Sequence, residues 1–128
     1  QYAAAALVSE NKVLAHPASV DSIPTSANKE DHVSMGTIAA RQCREIMRNT
    51  EHVIAVELLC AAQAVDFVMR QKGLSPGEGT KAAWQTIREK IGYLDCDRQL
   101  SGDMAAMAAM VRSGEIVAAV ESVAGELK

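Results

Sequence analysis

The chain has 128 residues, of which 48% are hydrophobic and only 3% aromatic, and its formal net charge is −3. This length suits one domain with a real core, and an apolar content dominated by Ala, Val, Leu, Ile and Met favours helices. The negative charge and the shortage of aromatic rings for base stacking argue against nucleic-acid binding, and no polybasic run indicates a membrane surface.

The first predicted element is a helix over residues 1–14, because Tyr2, Val13 and their apolar neighbours recur at helical spacing. Pro17 ends this helix, since the residue before a proline is pushed out of the helical region. An irregular loop is predicted over residues 18–29. The chain begins without Met and without a capping residue, so we expect it to start inside a helix of a longer protein.

The segment over residues 22–36 is the part of the chain richest in groups capable of chemistry. Glu30, Asp31 and Ser34 are predicted to lie where the next helix begins, because carboxylates and hydroxyls satisfy the unpaired N–H groups of a first turn and suit the helix dipole. A carboxylate there can hold a polar ligand, and it is equally an ordinary cap. Since adjacent helical residues point apart, Glu30, Asp31 and His32 are not expected to converge on one ligand.

The longest predicted helix runs from about Val33 to Arg70 and would be roughly 55 Å long. Its first half is amphipathic, whereas Val53 to Met69 is almost entirely apolar. A membrane span is disfavoured because this run is at the short limit and contains Glu57 and Asp66. We therefore expect other chains, or other parts of a parent protein, to cover the helix. Its polar residues, Gln63 among them, should make hydrogen bonds or salt bridges between helices.

Three shorter helices are predicted after a linker over residues 71–79, in which Gly73 is placed as a C-terminal cap. They run from about Thr80 to Ile91, from Ser101 to Arg112, and from there to about Gly125, with Thr80 and Ser101 as N-caps. Ser113 and Gly114 separate the last two. No sustained alternation indicates a strand. A methionine stripe at helical spacing is assigned to core packing: Met104, Met107 and Met110.

Neither a metal site nor a disulfide framework is indicated. His16, His32 and His52 lack ligand spacing with another His or Cys, and Asp95 and Asp97 lack the spacing of a calcium loop. The cysteine number is odd and no Cys-x-x-Cys clip is present, which fits reduced, intracellular thiols. The cysteines are Cys43, Cys60 and Cys96. No phosphate-binding or hydrolase motif occurs.

The stretch from Asn11 to Gly36, which includes Ser22-Ile23-Pro24-Thr25-Ser26 and Glu30-Asp31-His32-Val33-Ser34-Met35-Gly36, closely resembles the aromatic amino acid lyase family. The resemblance continues through Glu57–Phe67 and covers essentially the whole chain, matched to the C-terminal part of those enzymes. It implies an all-α fold with long antiparallel helices of a helical bundle plus shorter C-terminal helices, part of a larger multi-helix oligomer. A cytoplasmic homotetramer is implied as well.

The same resemblance implies a division of the chain. Residues 1–72 would belong to the central long-helix bundle, with an active-site loop at residues 15–33, and residues 73–128 would form a C-terminal helical segment. The motif resembles the members that convert L-histidine to trans-urocanate and ammonia, in which Glu30 would contact the imidazole end of the substrate. Relatives that act on phenylalanine or tyrosine resemble this motif with a glutamine at that position.

The family's electrophile is a methylidene-imidazolone group formed from an internal Ala-Ser-Gly tripeptide. This chain lacks the tripeptide, since Leu100 precedes one Ser-Gly pair and Arg112 precedes the other. The 128 residues alone are therefore expected to be inactive, with no catalytic residue and no metal of their own. An alternative is a stand-alone, non-catalytic helical oligomerisation module derived from such a lyase.

Overall fold

The computed structural model describes residues 1–127, which form five α-helices and no named strand. Lys128 lies outside the described residues. The helices are α1 (Tyr2–Leu14), α2 (Gly36–Lys72), α3 (Glu78–Lys90), α4 (Ser101–Ser113) and α5 (Glu115–Ala124). A short 3-10 turn, Ala18–Val20, follows α1. The predicted all-α fold class is thus confirmed.

Helix α2 begins three residues later than predicted, and this shift changes the setting of the polar segment before it. The helix starts at Gly36, whose N–H donates to Ser34 Oγ at 3.3 Å, and its first turn contains no acidic residue. The expected placement of Glu30 and Asp31 at the helix start is therefore wrong. The reason is that the preceding backbone pairs with itself in a hairpin, so the helix dipole does not act directly on Glu30.

Two other predicted caps also differ from the structure. Helix α3 begins at Glu78, with Gly77 in an extended conformation as its N-cap, so Thr80 lies inside the helix. An acidic residue in that first turn already suits the dipole. Ser101 is the first residue of α4 but makes no side-chain cap hydrogen bond, and Leu100 precedes it as N-cap. Neither Thr80 nor Ser101 is an N-cap.

The predicted break between the last two helices is confirmed. Gly114 has φ +75°, a left-handed conformation that a side chain disfavours, and it both ends α4 and precedes α5. The predicted cap at Gly73 has φ +62°, and its N–H donates to the Met69 carbonyl at 3.1 Å. Both glycines therefore lie where the chain needs a positive φ to leave a helix.

The described chain divides into two compact units, residues 1–50 and the residues from Glu51 onward. In the first unit, α1 buries none of its own residues, and side-chain hydrogen bonds join it to α2. Asn49 is buried, and its Nδ2 donates to Glu10 Oε2 at 3.3 Å and to Asn11 Oδ1 at 3.0 Å. The predicted division into 1–72 and 73–128 concerns a complete enzyme and stays a prediction.

The second unit contains the buried apolar core. Its members are Ala55, Ala62, Ile87, Ile91, Met107, Ala108, Met110 and Ile116. Met107 and Met110 are the largest fully buried side chains, each contributing about 1.5–3 kcal/mol by burial, whereas Met104 is half-buried. The core assignment of the methionine stripe is confirmed for its last two members.

Helix α2 retains an uncovered apolar surface in its second half. Ile54, Phe67 and Val68 are 40%, 45% and 41% exposed. Among the described residues, α2 is also the one helix long and apolar enough to cross a membrane by length and composition, a test that the core helix of a soluble protein passes too. The expectation that other chains, or other parts of a parent protein, cover this surface stays a prediction.

Candidate functional site

The polar segment folds into a small hairpin that pairs Thr25 with Glu30. The Thr25 N–H donates to the Glu30 carbonyl at 2.8 Å, and the Glu30 N–H donates back to the Thr25 carbonyl at 3.3 Å. This exchange of two bonds is the hydrogen-bonded pair of an antiparallel ladder. The hairpin, rather than a helix terminus, therefore positions the Glu30 backbone.

The turn of this hairpin is held in an uncommon backbone conformation. Ser26, Ala27 and Asn28 have φ of 53°, 55° and 63°, and the Lys29 N–H donates to the Ser26 carbonyl at 3.2 Å. Two central residues with positive φ inside such a bond are the signature of a type I′ turn, which matches the twist of paired strands. Asn tolerates this conformation, but for Ala it costs about 1–2 kcal/mol.

Ser22 closes the base of the hairpin. Its Oγ accepts the Val33 N–H at 2.9 Å and donates to the Asp31 carbonyl at 3.2 Å, so one hydroxyl joins both sides of the segment. The Ser22 N–H donates in turn to Asp21 Oδ1 at 2.7 Å. Side-chain bonds of this kind replace the missing ladder partners of a short loop, and they leave the segment with a defined shape.

The three adjacent polar residues do not meet at one place, as expected from the sequence, although the reason is a hairpin and not a helix. Glu30, Asp31 and His32 are all exposed. His32 lines an open cleft of about 510 Å³, together with Asp21 and Ser34, whereas Glu30 is not among its lining residues. No group of three or more potential metal-ligating residues occurs among the described residues.

A second polar cluster lies in the unit from Glu51 onward, and sequence reasoning found only half of it. Asp66 is 5% exposed and accepts hydrogen bonds from Arg88 Nε at 2.8 Å, Arg88 Nη2 at 2.6 Å and Trp84 Nε1 at 3.2 Å. Gln63 accepts the Leu94 N–H at 3.2 Å and donates to its carbonyl at 2.9 Å. The predicted interhelical bonding is confirmed for Asp66, and also for Gln63 because its Oε1 accepts a hydrogen bond from Arg88 of α3, whereas Glu57 is exposed.

Arg88 is the residue that sequence reasoning missed. Its Nη1 donates to the carbonyls of Ile91 and Gly92 at 3.1 and 3.3 Å, and its Nη2 to Gln63 Oε1 at 3.2 Å. It thus ties α2 to the end of α3 and to the connector that follows. The available signal was a buried carboxylate in need of a cation, but 22 residues separate Asp66 from Arg88 and no local spacing links them.

Two charged groups at the surface of this unit have perturbed pKa values. Hydrogen bonds from the Asp95 N–H, and next from Cys96, lower the pKa of the Asp95 carboxyl from its ordinary value of 3.8. Glu51 accepts hydrogen bonds from Arg112 Nε at 2.9 Å and Nη2 at 2.6 Å, and these bonds raise the pKa of Arg112. Both effects stabilise the charged forms, and neither group belongs to the hairpin.

A family model for aromatic amino acid lyases matches residues 1–89. The chain belongs to that family. It is 60% identical over all 128 residues to histidine ammonia-lyase of Symbiobacterium thermophilum and covers 25% of that protein. The chain thus spans about a quarter of the length of the curated relatives it matches.

Two solved structures that are similar to this chain have the same helical fold. The crystal structure of histidine ammonia-lyase from Trypanosoma cruzi matches with a TM-score of 0.85 and 42% identity, covering 94% of this chain and 23% of that one. Tyrosine aminomutase from Streptomyces globisporus matches with a TM-score of 0.85 and 37% identity, covering 99% and 23%. The two enzymes have different names, so the shared fold does not by itself identify a substrate.

Proposed function

We propose that these residues serve within a histidine ammonia-lyase, which converts L-histidine to trans-urocanate and ammonia. Glu30 would contact the imidazole end of the substrate. The observation that supports this role best is the hairpin, which holds Glu30 by paired backbone bonds and leaves its side chain exposed. The 60% identity to a histidine ammonia-lyase over the full 128 residues supports the choice of enzyme.

The chemistry of a carboxylate suits an imidazole ring. A carboxylate accepts an imidazole N–H or pairs with imidazolium, and hydrogen bonds to charged groups are stronger than neutral ones. A phenyl ring offers no such donor, so binding it would leave the desolvated carboxylate without a partner. Glu30 would therefore favour histidine over phenylalanine, and a glutamine at that position would weaken the preference.

The elimination itself requires parts that this chain does not contain. In the complete family enzyme, a methylidene-imidazolone group supplies the electrophile for release of ammonia. The group forms from Ala-Ser-Gly, and the 128 residues contain no such tripeptide. We infer that the chain contributes recognition of the imidazole and helix packing, and that alone it is inactive.

Assembly would take place through the long helix. Ile54, Phe67 and Val68 leave an apolar surface on α2, and such a surface in water favours association. We infer a homotetramer in the cytoplasm, where the three cysteines, all free and exposed, would persist as thiols. The enzyme would act in the breakdown of histidine.

The test is Glu30→Gln in the complete enzyme, with L-histidine as substrate. Loss of a charge-assisted hydrogen bond should lower kcat/KM roughly 10- to 150-fold, while the melting temperature and the tetramer measured by sedimentation stay unchanged. Asp31→Asn is the matched control, because it removes the same charge one residue away. A near-normal rate for Glu30→Gln, or an equal loss in Asp31→Asn, would contradict the role of Glu30.

A further inference from the structure

The side chains of Thr25 and Glu30 are paired as well as their backbones. Residues directly opposite each other in an antiparallel pair project to the same side, with their Cβ atoms close together. The Thr25 hydroxyl donates to Glu30 Oε2 at 3.3 Å. Within the described residues, this is the one side-chain hydrogen bond that the Glu30 carboxylate accepts. The hydroxyl therefore engages one carboxylate oxygen and leaves the other free.

The frame around this pair restricts where the carboxylate can go. The two Thr25–Glu30 backbone bonds, the turn with its left-handed residues and the Ser22 bonds set the direction of the Glu30 Cα–Cβ bond. Beyond that bond a glutamate still has three rotatable torsions, and an exposed side chain samples many rotamers. A hydrogen bond to Oε2 is the restraint that selects among them.

We propose that Thr25 is a positioning residue for substrate recognition: its hydroxyl holds Glu30 Oε2 and so directs Oε1 to the N–H of the substrate's imidazole ring. This inference rests on the proposed contact between Glu30 and L-histidine. A carboxylate has lone pairs enough for both partners. Prior restraint of the acceptor reduces the ordering that substrate binding would otherwise require.

The experiment measures urocanate formation from L-histidine by the complete enzyme. Thr25→Val removes the donor and keeps the side-chain shape, and it should lower kcat/KM roughly tenfold, as expected for one lost hydrogen bond. Thr25→Ser retains the hydroxyl and should stay within about twofold of the parent enzyme. Thr86→Val is the matched control, since the Thr86 hydroxyl donates to the Ala82 carbonyl of its own helix at 3.0 Å.

Repeating the Thr25→Val change on a Glu30→Ala background separates positioning from mere structure. If Thr25 acts through Glu30, the second change should have no further effect on kcat/KM once the carboxylate is absent. If Thr25→Val lowers kcat/KM by the same factor with and without the Glu30 carboxylate, the inference is overturned, because Thr25 would then have a structural role. The inference would also be overturned if Thr25→Val left kcat/KM unchanged, or if Thr25→Ser lowered kcat/KM as much as Thr25→Val.

The two proposals fail in different ways. Near-normal activity of the Glu30→Ala enzyme refutes the role of Glu30 itself, whatever Thr25 does. Impaired Glu30→Ala together with normal Thr25→Val refutes only the positioning role. If Thr25→Val does not assemble, Thr25→Ala replaces it in every comparison, and failure of both to assemble would overturn the inference in favour of a structural role.

Discussion

Replacing Arg88 by methionine should strongly destabilise the connector after α3, because the Arg88 guanidinium is part of a largely buried ion pair. The Arg88 and Asp66 side chains are only 13% and 7% exposed, and Nη2 lies 2.6 Å from Oδ2. Methionine keeps an apolar stem of similar length but removes every donor. The Asp66 carboxylate would then retain only the Trp84 hydrogen bond, while the Ile91 and Gly92 carbonyls would lose a partner.

The expected cost is about 3–5 kcal/mol, the range for breaking a buried ion pair by removing one partner. Solvent screening should not reduce this cost much, because both side chains are well under one-third exposed. Replacing both partners, Asp66 by leucine and Arg88 by methionine, should recover most of the loss, because no buried charge remains. A destabilisation of about 1–3 kcal/mol should persist in the double variant, because the Trp84 N–H would be left unpaired.

Amide hydrogen exchange in the complete enzyme measures this local stability. The Leu94 N–H is a suitable probe, because it donates to Gln63 Oε1 and Gln63 also binds Arg88. Its protection should fall roughly 10²- to 4 × 10³-fold in Arg88→Met, since each 1.4 kcal/mol corresponds to a factor of ten. An unchanged exchange rate would refute the reasoning. A double variant no better than Arg88→Met would show that the uncompensated charge is not the cause.

Two further predictions concern local backbone and charge. Ala27→Gly should relieve about 1–2 kcal/mol of left-handed strain and lose about 0.5–1 kcal/mol to chain entropy. Hydrogen exchange of the Lys29 amide should therefore slow or stay equal. Faster exchange would show that Ala27 is not strained. Because the pKa of Asp95 is lowered, its contribution is present above the unfolded value of 3.8 and lost as the pH falls through the folded pKa. The protection of the amides in the connector after α3, corrected for intrinsic exchange rates, should therefore be constant near neutral pH and decline only in acid. A decline near neutral pH would exclude Asp95 as its cause.

Most of the helical architecture could be read from the sequence, because helix signals are local. The long pattern after residue 33 predicts α2, and Gly73 and Gly114 lie where positive φ ends a helix. The methionine spacing predicts core positions, which Met107 and Met110 occupy. Each of these signals depends on residues within about four positions of one another, the range over which helical neighbours interact.

The hairpin conformation around Glu30 could not be predicted from the sequence in the same way. Ser, Thr, Asp and Glu before a helical pattern indicate a cap. Of Ser26, Ala27 and Asn28, only the asparagine is a residue that readily takes a left-handed conformation, so three consecutive left-handed residues could not be predicted. The hairpin forms because Thr25 and Glu30 satisfy each other's backbone groups, and Ser22 satisfies those at its base. A cap and a hairpin use the same residue types, so composition could not separate them.

The amino-acid sequence by itself therefore determined the helical class, the helix breaks at Gly73 and Gly114, two methionine positions of the apolar core and, through its long polar motif, the lyase family. Only the tertiary structure decided that Glu30 stands on a hairpin beside Thr25, and that Arg88 is the partner of Asp66 across 22 residues. The physical reason is the sequence distance over which each kind of interaction acts. Propensity and periodicity act between near neighbours, whereas a carboxylate's partner is whichever donor the packed helices and loops bring within hydrogen-bond distance.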